Sequence, residues 1–295
     1  SRLHPMLRGL EVEEIKGDLL EQSDVNAAVN GCKFAFHVAG FVSRKRSDVD
    51  AMFKSNVTAT RNVVGACLKH GVERLVHTSS TAAVGWSTDP KGILHEDSPV
   101  SSELKRVPYA WTKKLAESAV LDGVKEGLNA VMVNPATIYG SGDIKMNTTK
   151  ALLALKAGKV LLAPPGGQSV VAVDDVVQGH MLALENGENG RRYILASENM
   201  TYFEFLRRAA QAVEGSHPRR TLPVVIGSPL IALSGVLEKV WKSSPLSIAS
   251  SMLLFRYRYH SAERAKKELG WEPKVSLEDA IAHAMDFYVR ERKPA

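Results

Sequence analysis

Cysteine is scarce in this chain of 295 residues: there are two, Cys32 and Cys67. Neither has metal-ligand or disulfide-framework spacing. That excludes a disulfide-stapled secreted scaffold and fits a reducing compartment, here the cytoplasm. Aromatic residues make up only 6%, and no basic stretch is interleaved with them. A nucleic-acid surface is therefore not expected, despite a net charge of +6. Short cationic runs such as Arg44-Lys45-Arg46 and Arg219-Arg220 lie in acid-containing surroundings and read as solvated loops. Long apolar runs are also missing. The stretch from Val224 to Leu237 is broken by Pro229 and is too short to span a bilayer. It reads as a core or pocket helix, and no membrane partner is expected. No group of His, Cys and carboxylates has ligand spacing, so no metal is expected. Internal repeats and low-complexity linkers are absent.

What is present is alternation. Glu11 to Lys16 reads as a strand ending at Gly17-Asp18-Leu19. Ser23 opens a short helix to Asn30. Phe34 to His37 is a buried strand ending in Val38-Ala39-Gly40. Asp50 to His70 is a long helix stopped by Gly71. Arg74 to Thr78 is a strand ending in Ser79-Ser80-Thr81. A helix from Tyr109 to Glu126 precedes a strand from Asn129 to Val133. This pattern predicts an α/β fold with a doubly wound parallel sheet covered on both faces. Ligands of such sheets bind at the carboxyl ends of the strands, and the polar clusters all fall there. Beyond Gly140 a helix from Lys150 to Ala157, a strand from Ser169 to Val173, a helix to Glu185 and a strand from Arg191 to Leu195 follow. Thr201 caps a further helix, and from Leu222 the chain reads as helical. The division is 1–140 with 171–195 as a Rossmann-type domain, and 141–170 with 196–295 as a smaller, mainly helical lobe.

Tyr109-Ala110-Trp111-Thr112-Lys113 is the only Tyr-x-x-x-Lys in the chain. Its two ends lie one helical turn apart on one face. A tyrosine titrates near 10 and is a poor acid–base at neutral pH. Moving it to about 7 takes roughly 4 kcal/mol. A lysine charge about 5 Å away, at an effective dielectric of about 20, supplies roughly 3 kcal/mol of that. A serine hydroxyl beside the phenol would stabilise charge developing on a carbonyl oxygen. The pattern therefore points to carbonyl reduction, and Lys113 is expected to lower the Tyr109 pKa.

Eight blocks in order carry a more specific resemblance. They are Gly17-Asp18-Leu19, His37 to Gly40, Asn56 to Asn62, His77 to Ser80, Tyr109 to Lys113, Asn134 to Gly140, Val173 to Val176 and Glu268 to Pro273. With them the chain resembles the extended short-chain dehydrogenase/reductases. Within the NAD-dependent epimerase/dehydratase superfamily it is similar to the dihydroflavonol 4-reductase-like group, which includes hopanoid-associated sugar epimerase homologues. The resemblance implies NADP or NAD as cofactor, a small carbonyl or sugar substrate, and a homodimer through the helices that carry Asn56 and Tyr109. It implies Tyr109 as acid–base, Lys113 on the nicotinamide ribose and Ser80 on the substrate oxygen, with Thr81 as the alternative hydroxyl. Asp18 and Leu19 would flank the adenine. Val38, Ala39 and Gly40 would line the ribose, with Asn56 and Thr78 facing the cofactor. Pro135 and Ile138 would hold the carboxamide edge of the nicotinamide.

The family's first strand and glycine-rich turn have no counterpart in residues 1–30. In the strand order 3-2-1-4-5-6 their loss would leave a gap at the centre of the sheet. The expectation is that roughly 35–45 upstream residues belong to the fold. Arg2 stands where a 2′-phosphate could be read. Thr81-Ala82-Ala83 after Ser80 lacks the Asp-Glu pair of the sugar-nucleotide dehydratases, which disfavours dehydration. Arg256 and Arg258 precede Ser261 in a position suggestive of diphosphate binding. Reduction of a ketone or aldehyde on an apolar substrate is the favoured reading. A nucleotide-sugar epimerase using the same Tyr and Lys, and a non-catalytic dinucleotide-binding regulator, are the alternatives.

Overall fold

The computed structural model describes residues 7, 9–241 and 247–292, so Arg2 lies outside the described residues. The first half runs α1 (Gln22–Val29), β1 (Phe34–His37), α2 (Val49–Phe53), α3 (Ala59–His70), β2 (Arg74–Thr78), β3 (Ile93–Leu94), α4 (Pro108–Lys125), β4 (Ala130–Pro135) and β5 (Thr137–Tyr139). The second runs α5 (Thr149–Lys156), β6 (Leu162–Ala163), β7 (Gly167–Ala172), α6 (Val173–Asn186), β8 (Arg192–Leu195), β9 (Glu198–Thr201), α7 (Tyr202–Ala212), β10 (Arg220–Thr221), α8 (Gly227–Val240), α9 (Ile248–Leu254), β11 (Tyr257–His260) and α10 (Leu277–Arg292).

The principal sheet has the order β1-β2-β4-β8 and is parallel throughout. Side chains alternate across it as the two-residue period of a strand demands. Leu75, Ala130 and Met132 pack with Val63, Val64 and Val120 of α3 and α4. Val76, Val131 and Val133 pack on the other face with Val176 and Ala183 of α6. The two faces explain why β4 is buried along its whole length. Helices α3 and α4 touch closely at Gly123, where a Cβ would lie 2.4 Å from Val64 Cγ1. Gly71, at φ 65°, ends α3 in the left-handed conformation that glycine adopts without penalty.

A second, mixed sheet, β3-β11-β7-β5 with β9 antiparallel to β7, supports the lobe. Phe205 and Ala209 of α7 and Ile281 and Ala284 of α10 pack with its strands. The lobe is helical as read from the sequence, but its helices rest on strands, and β11 falls inside the stretch read as helical. Asp175 ties the C-terminal segment to α6: its carboxylate accepts from Lys274 N at 2.9 Å and Val275 N at 3.2 Å.

Five expectations need correction. No strand forms over residues 11–16, which are exposed irregular backbone. The sheet consequently has no gap; instead the outer edge of β1 is open, with Phe34 and Phe36 exposed. Helix α1 starts at Gln22 with no side-chain cap, because the turn before it is held by Asp18 and Asp24 instead. The helix expected over 50–70 contains a π-helical turn at Lys54–Thr58. Finally, α8, read as a core or pocket helix, is not a core helix, although its Glu238 lines a cavity. Ser234 and Glu238 face inward, while Leu233, Val236 and Val240 are exposed, Val240 to 85%. Apolar composition does not by itself tell a buried helix from one lying on the surface.

Candidate active site

Strands β1, β2 and β4 deliver their carboxyl ends to one edge of the sheet, and α4 begins there. Pro108 occupies the first position of α4, where its missing N–H costs nothing and its fixed φ suits the helix. Tyr109 is thereby set in the first turn. Ser80 caps the short turn after β2, its Oγ accepting from Ala82 N at 3.2 Å. The Ser80 hydroxyl also acts on the Tyr109 phenol, favouring its ionised form against burial. Ser80, not the alternative hydroxyl Thr81, is the group that acts on the phenol.

Lys113 follows one turn later and is buried. Its Nζ donates to the Thr78 carbonyl at 2.8 Å. Burial lowers its pKa to about 8, against the raising influence of Glu117. The expected lysine effect on Tyr109 is not what this structure shows. Burial raises the phenol above its ordinary value, the Ser80 hydroxyl opposing it. The Lys113 charge is turned to the Thr78 carbonyl and away from this balance. Tyr109 therefore stands as a protonated acid at neutral pH.

Gly40 lies against Lys113. A Cβ there would stand 3.2 Å from Lys113 Nζ and 3.4 Å from Asn56 Oδ1. The structure thus brings Gly40, Asn56, Thr78 and Lys113 together. Asn56 is buried and occupied: Oδ1 accepts from Phe41 N at 2.7 Å, and Nδ2 donates to Phe41 O at 2.9 Å and Thr112 Oγ1 at 3.0 Å. It clamps the loop after β1 rather than presenting a free amide. Val38 and Ala39 are exposed at the same edge, Val38 to 62%. Asp18 is exposed, its carboxylate accepting from Leu20 N at 2.9 Å, and Leu19 is held by Asn62 Nδ2 on its carbonyl. Pro135 is buried at the end of β4 and pairs with Leu195. Ile138 is partly buried beside Val171.

Two neutral imidazoles lie near Lys113, and a third lies beside Thr78. His37 is held at about 4 by burial and then by the Lys113 charge. His77 is driven well below its ordinary value by burial and the same charge. His180, lowered by burial, shares a 2.8 Å hydrogen bond with Thr78 Oγ1.

Beneath this layer sits a residue that sequence reading passed over. Glu117 lies one further turn along the face that carries Tyr109 and Lys113, and the spacing of 109, 113 and 117 could have revealed it. It is 1% exposed. Its carboxylate accepts from Ser79 Oγ at 2.7 Å, Asn134 Nδ2 at 2.6 Å and Arg192 Nη1 at 2.9 Å. Asn134 also donates to the Ser80 carbonyl at 2.9 Å. The loop bearing Ser80 is therefore anchored to α4 through Asn134 and Glu117.

Arg256 and Arg258 part company. Arg256 is paired with Glu103 at 3.2 Å and is not free for a diphosphate. Arg258 reaches Gln168 and Tyr202 instead. No group of His, Cys and carboxylates suited to a metal ion occurs among the described residues, and no helix there is long and apolar enough to cross a membrane.

The chain is similar to proteins of known name along its length. A protein of Synechocystis with the provisional name dihydroflavonol 4-reductase is 32% identical, over 96% of this chain and 83% of its own. The 2-alkyl-3-oxoalkanoate reductase of Stenotrophomonas maltophilia is 27% identical over 94% and 87%. The decarboxylating sterol-4-alpha-carboxylate 3-dehydrogenase of Mus musculus is 26% identical over 99% and 84%. The crystal structure of gox2253 superimposes with a TM-score of 0.84 at 32% identity, covering 97% of this chain and 87% of that one. The model of the 3-beta hydroxysteroid dehydrogenase/isomerase family matches residues 4–203. A sheet of Rossmann type, a Ser–Tyr–Lys cluster at its carboxyl edge and these matches agree, and the chain belongs to the 3-beta hydroxysteroid dehydrogenase/isomerase family of NAD(P)-dependent oxidoreductases.

Proposed function

We propose that this enzyme interconverts a secondary alcohol and a ketone on an apolar substrate whose reacting carbon lies one carbon away from a carboxyl-bearing carbon. The observation that carries the chemistry is the placement of Ser80 at the end of β2, Tyr109 in the first turn of α4 and Lys113 one turn along the same helix. Two relatives support the substrate class. A 2-alkyl-3-oxoalkanoate and a sterol 4-carboxylate acted on at carbon 3 share a 1,3 relation between the carboxyl carbon and the reacting carbon. No comparable observation favours a nucleotide-sugar substrate, since Arg256 is already neutralised by Glu103.

The residues present fit the nicotinamide-ribose half of NADP or NAD. The open backbone at Gly40 forms a slot that a Cβ would narrow against Lys113 and Asn56. Lys113 spends one N–H on Thr78, leaving donors suited to ribose hydroxyls. When bound, the cofactor would supply or accept the hydride. The chain's own residues do the rest. Ser80 donates to the substrate oxygen and fixes its position. Tyr109, protonated at neutral pH, gives its proton to that oxygen during reduction; in the oxidation direction its phenolate form accepts the alcohol's proton. Lys113 holds the ribose, and Asn56 keeps the Phe41 loop in place. Residues 1–140 and 171–195 bind the dinucleotide, and 141–170 with 196–295 bind the substrate. The enzyme works in the cytoplasm, as a homodimer through α2–α3 and α4, a state that light scattering would check.

The test is Tyr109→Phe, assayed by absorbance at 340 nm with 2-hexyl-3-hydroxydecanoate and either cofactor. Loss of a positioned acid–base lowers kcat by about 10²–10⁴-fold. A Tyr109→Phe enzyme with wild-type kcat refutes the assignment.

A further inference from the structure

Backbone pairing gives out at the end of β2. Toward β4 the ladder continues: Ser79 N donates to the Val133 carbonyl at 2.7 Å. Toward β1 it does not. That strand stops at His37, opposite His77, so no strand amide follows to take the Thr78 carbonyl. Lys113 Nζ takes it instead, at 2.8 Å. The position of the Lys113 ammonium therefore depends on how firmly one strand-end residue is held. Strand ends open more readily than strand centres, so Thr78 needs an anchor other than the ladder.

Its side chain finds one on α6. Thr78 projects from the face of the sheet that carries Val76, where α6 packs. Its Oγ1 lies 2.8 Å from His180 Nε2. The other ring nitrogen, His180 Nδ1, lies 2.8 Å from the Val176 carbonyl. A carbonyl oxygen only accepts, so the one proton of the neutral ring sits on Nδ1 and leaves Nε2 bare. Nε2 can then only accept, and Thr78 must donate its hydroxyl proton to it. The opposite tautomer would set a nitrogen lone pair against the Val176 carbonyl. Burial keeps the ring neutral by lowering its pKa. The helix that carries His180 is itself pinned. Trp271 Nε1 donates to the Asp175 carbonyl at 2.9 Å, and the Asp175 carboxylate holds the backbone at Lys274 and Val275. A directed chain of bonds thus runs from a fixed helix, through His180 and Thr78, to Lys113.

We infer that His180 is a positioning residue of this enzyme: fixed as the Nδ1–H tautomer, it anchors Thr78 so that the Thr78 carbonyl holds the Lys113 ammonium where the cofactor ribose meets it. The inference rests on the role proposed for Lys113 above and adds a residue of α6 to the machinery that α4 and β2 carry. His180 exchanges no proton with the substrate and acts only through Thr78.

Two measurements test it. The first needs neither substrate nor cofactor: a long-range proton–nitrogen correlation spectrum of histidine-labelled protein at neutral pH, with the His180 signals assigned by their loss in His180→Gln. The expected pattern is a protonated Nδ1 and a bare Nε2. A protonated Nε2 would overturn the inference. The second is calorimetric binding of NADPH and NADH to wild type, His180→Phe, Thr78→Val, their double variant, and His180→Phe combined with Lys113→Met. Removing the acceptor strands a buried hydroxyl and frees the strand end, so His180→Phe should bind cofactor about 10-fold more weakly. Thr78→Val should do the same, and the double variant should lose little more than either alone. On the Lys113→Met background, His180→Phe should change affinity by less than about twofold, because its effect passes through Lys113. His180→Gln, whose Oε1 can accept from Thr78, should recover most of the binding. Unchanged affinity in His180→Phe, or a full loss that persists without Lys113, would overturn the inference, since a merely structural histidine acts whether or not the lysine is there. If His180→Phe does not fold, Thr78→Val on the two backgrounds makes the same comparison. Wild-type affinity in Lys113→Met is a different failure: it would refute the ribose role of Lys113, and the inference with it.

Discussion

Replacing Glu117 by glutamine removes a charge from beneath the site and leaves the shape nearly unchanged. The new amide would still accept from Ser79 and Asn134 through its oxygen. Its NH2 group would then confront Arg192 Nη1, a donor facing a donor, where a carboxylate now stands at 2.9 Å. The Arg192 side chain is only 14% exposed, so the orphaned cation cannot recover full hydration. Breaking one side of a buried pair costs about 3–5 kcal/mol. With an unfolding entropy near 2.1 cal/mol/K per residue, a chain of this length loses roughly 5–8 °C in Tm. A second effect is electrostatic. Glu117 raises the pKa of Lys113 against burial, so its removal lowers that pKa further below about 8. The assays are differential scanning calorimetry and a pH profile of cofactor affinity. Glu117→Gln should melt lower and lose affinity at a lower pH than wild type. Arg192→Met on the same background should return most of the lost stability, because it removes the unpaired cation. An unchanged Tm in Glu117→Gln, or strictly additive losses in the double variant, would refute the account of a coupled buried pair.

Other outcomes follow from the same geometry. Lys113, lowered to about 8 by burial, is protonated in the unfolded chain up to about 10.4; the unfolded state binds more protons between these values, so this residue makes folding more favourable as pH rises through that window. Cofactor affinity runs the other way, since the ammonium is lost: calorimetric binding should weaken about 10-fold between pH 7 and 9.5, and Lys113→Met should abolish that pH dependence. Gly40→Ala should weaken cofactor binding by about 10-fold with Tm nearly unchanged, because the new methyl stands at 3.2 Å from Lys113 Nζ on the open side of the slot. Asn56→Ala strands the Phe41 amide and carbonyl and should cost about 2–3 kcal/mol, read by urea unfolding, with faster proteolysis in the loop from Phe41 to Asp48.

Much of this site was legible because its chemistry sits where a strand stops being apolar. The ends of β1 and β2 are marked by Gly40 and Ser80, and the helix face by the spacing of Tyr109 and Lys113. Boundaries fell within a residue or two for α4, α6 and β8, where apolar period and end signals agree. What escaped was set by tertiary context. Residues 11–16 read as a strand but have no neighbouring strand to pair with among the described residues. The four residues of β11 were hidden by Tyr-Arg-Tyr-His, whose charges read as surface although β11 sits between β3 and β7. The direction of the Tyr109 shift could not be read from spacing, because burial and the Thr78 carbonyl outweigh the distance to Lys113.

The π-helical turn at Lys54–Thr58 has a consequence for how this chain tolerates length change. A turn of that kind takes in one more residue than an α-helical turn of the same span. Deleting a single residue between 54 and 58 would let α2 and α3 merge into one uninterrupted helix, with better backbone bonding than before. The side chains N-terminal to the deletion would rotate by about 100° relative to those after it. Asn56 would then leave Phe41, while Val63 and Val64 kept their places in the core. The helix gains regularity and the site loses its clamp, so the surplus residue acts as a vernier between a scaffold that needs only pitch and a loop that needs one amide at one angle.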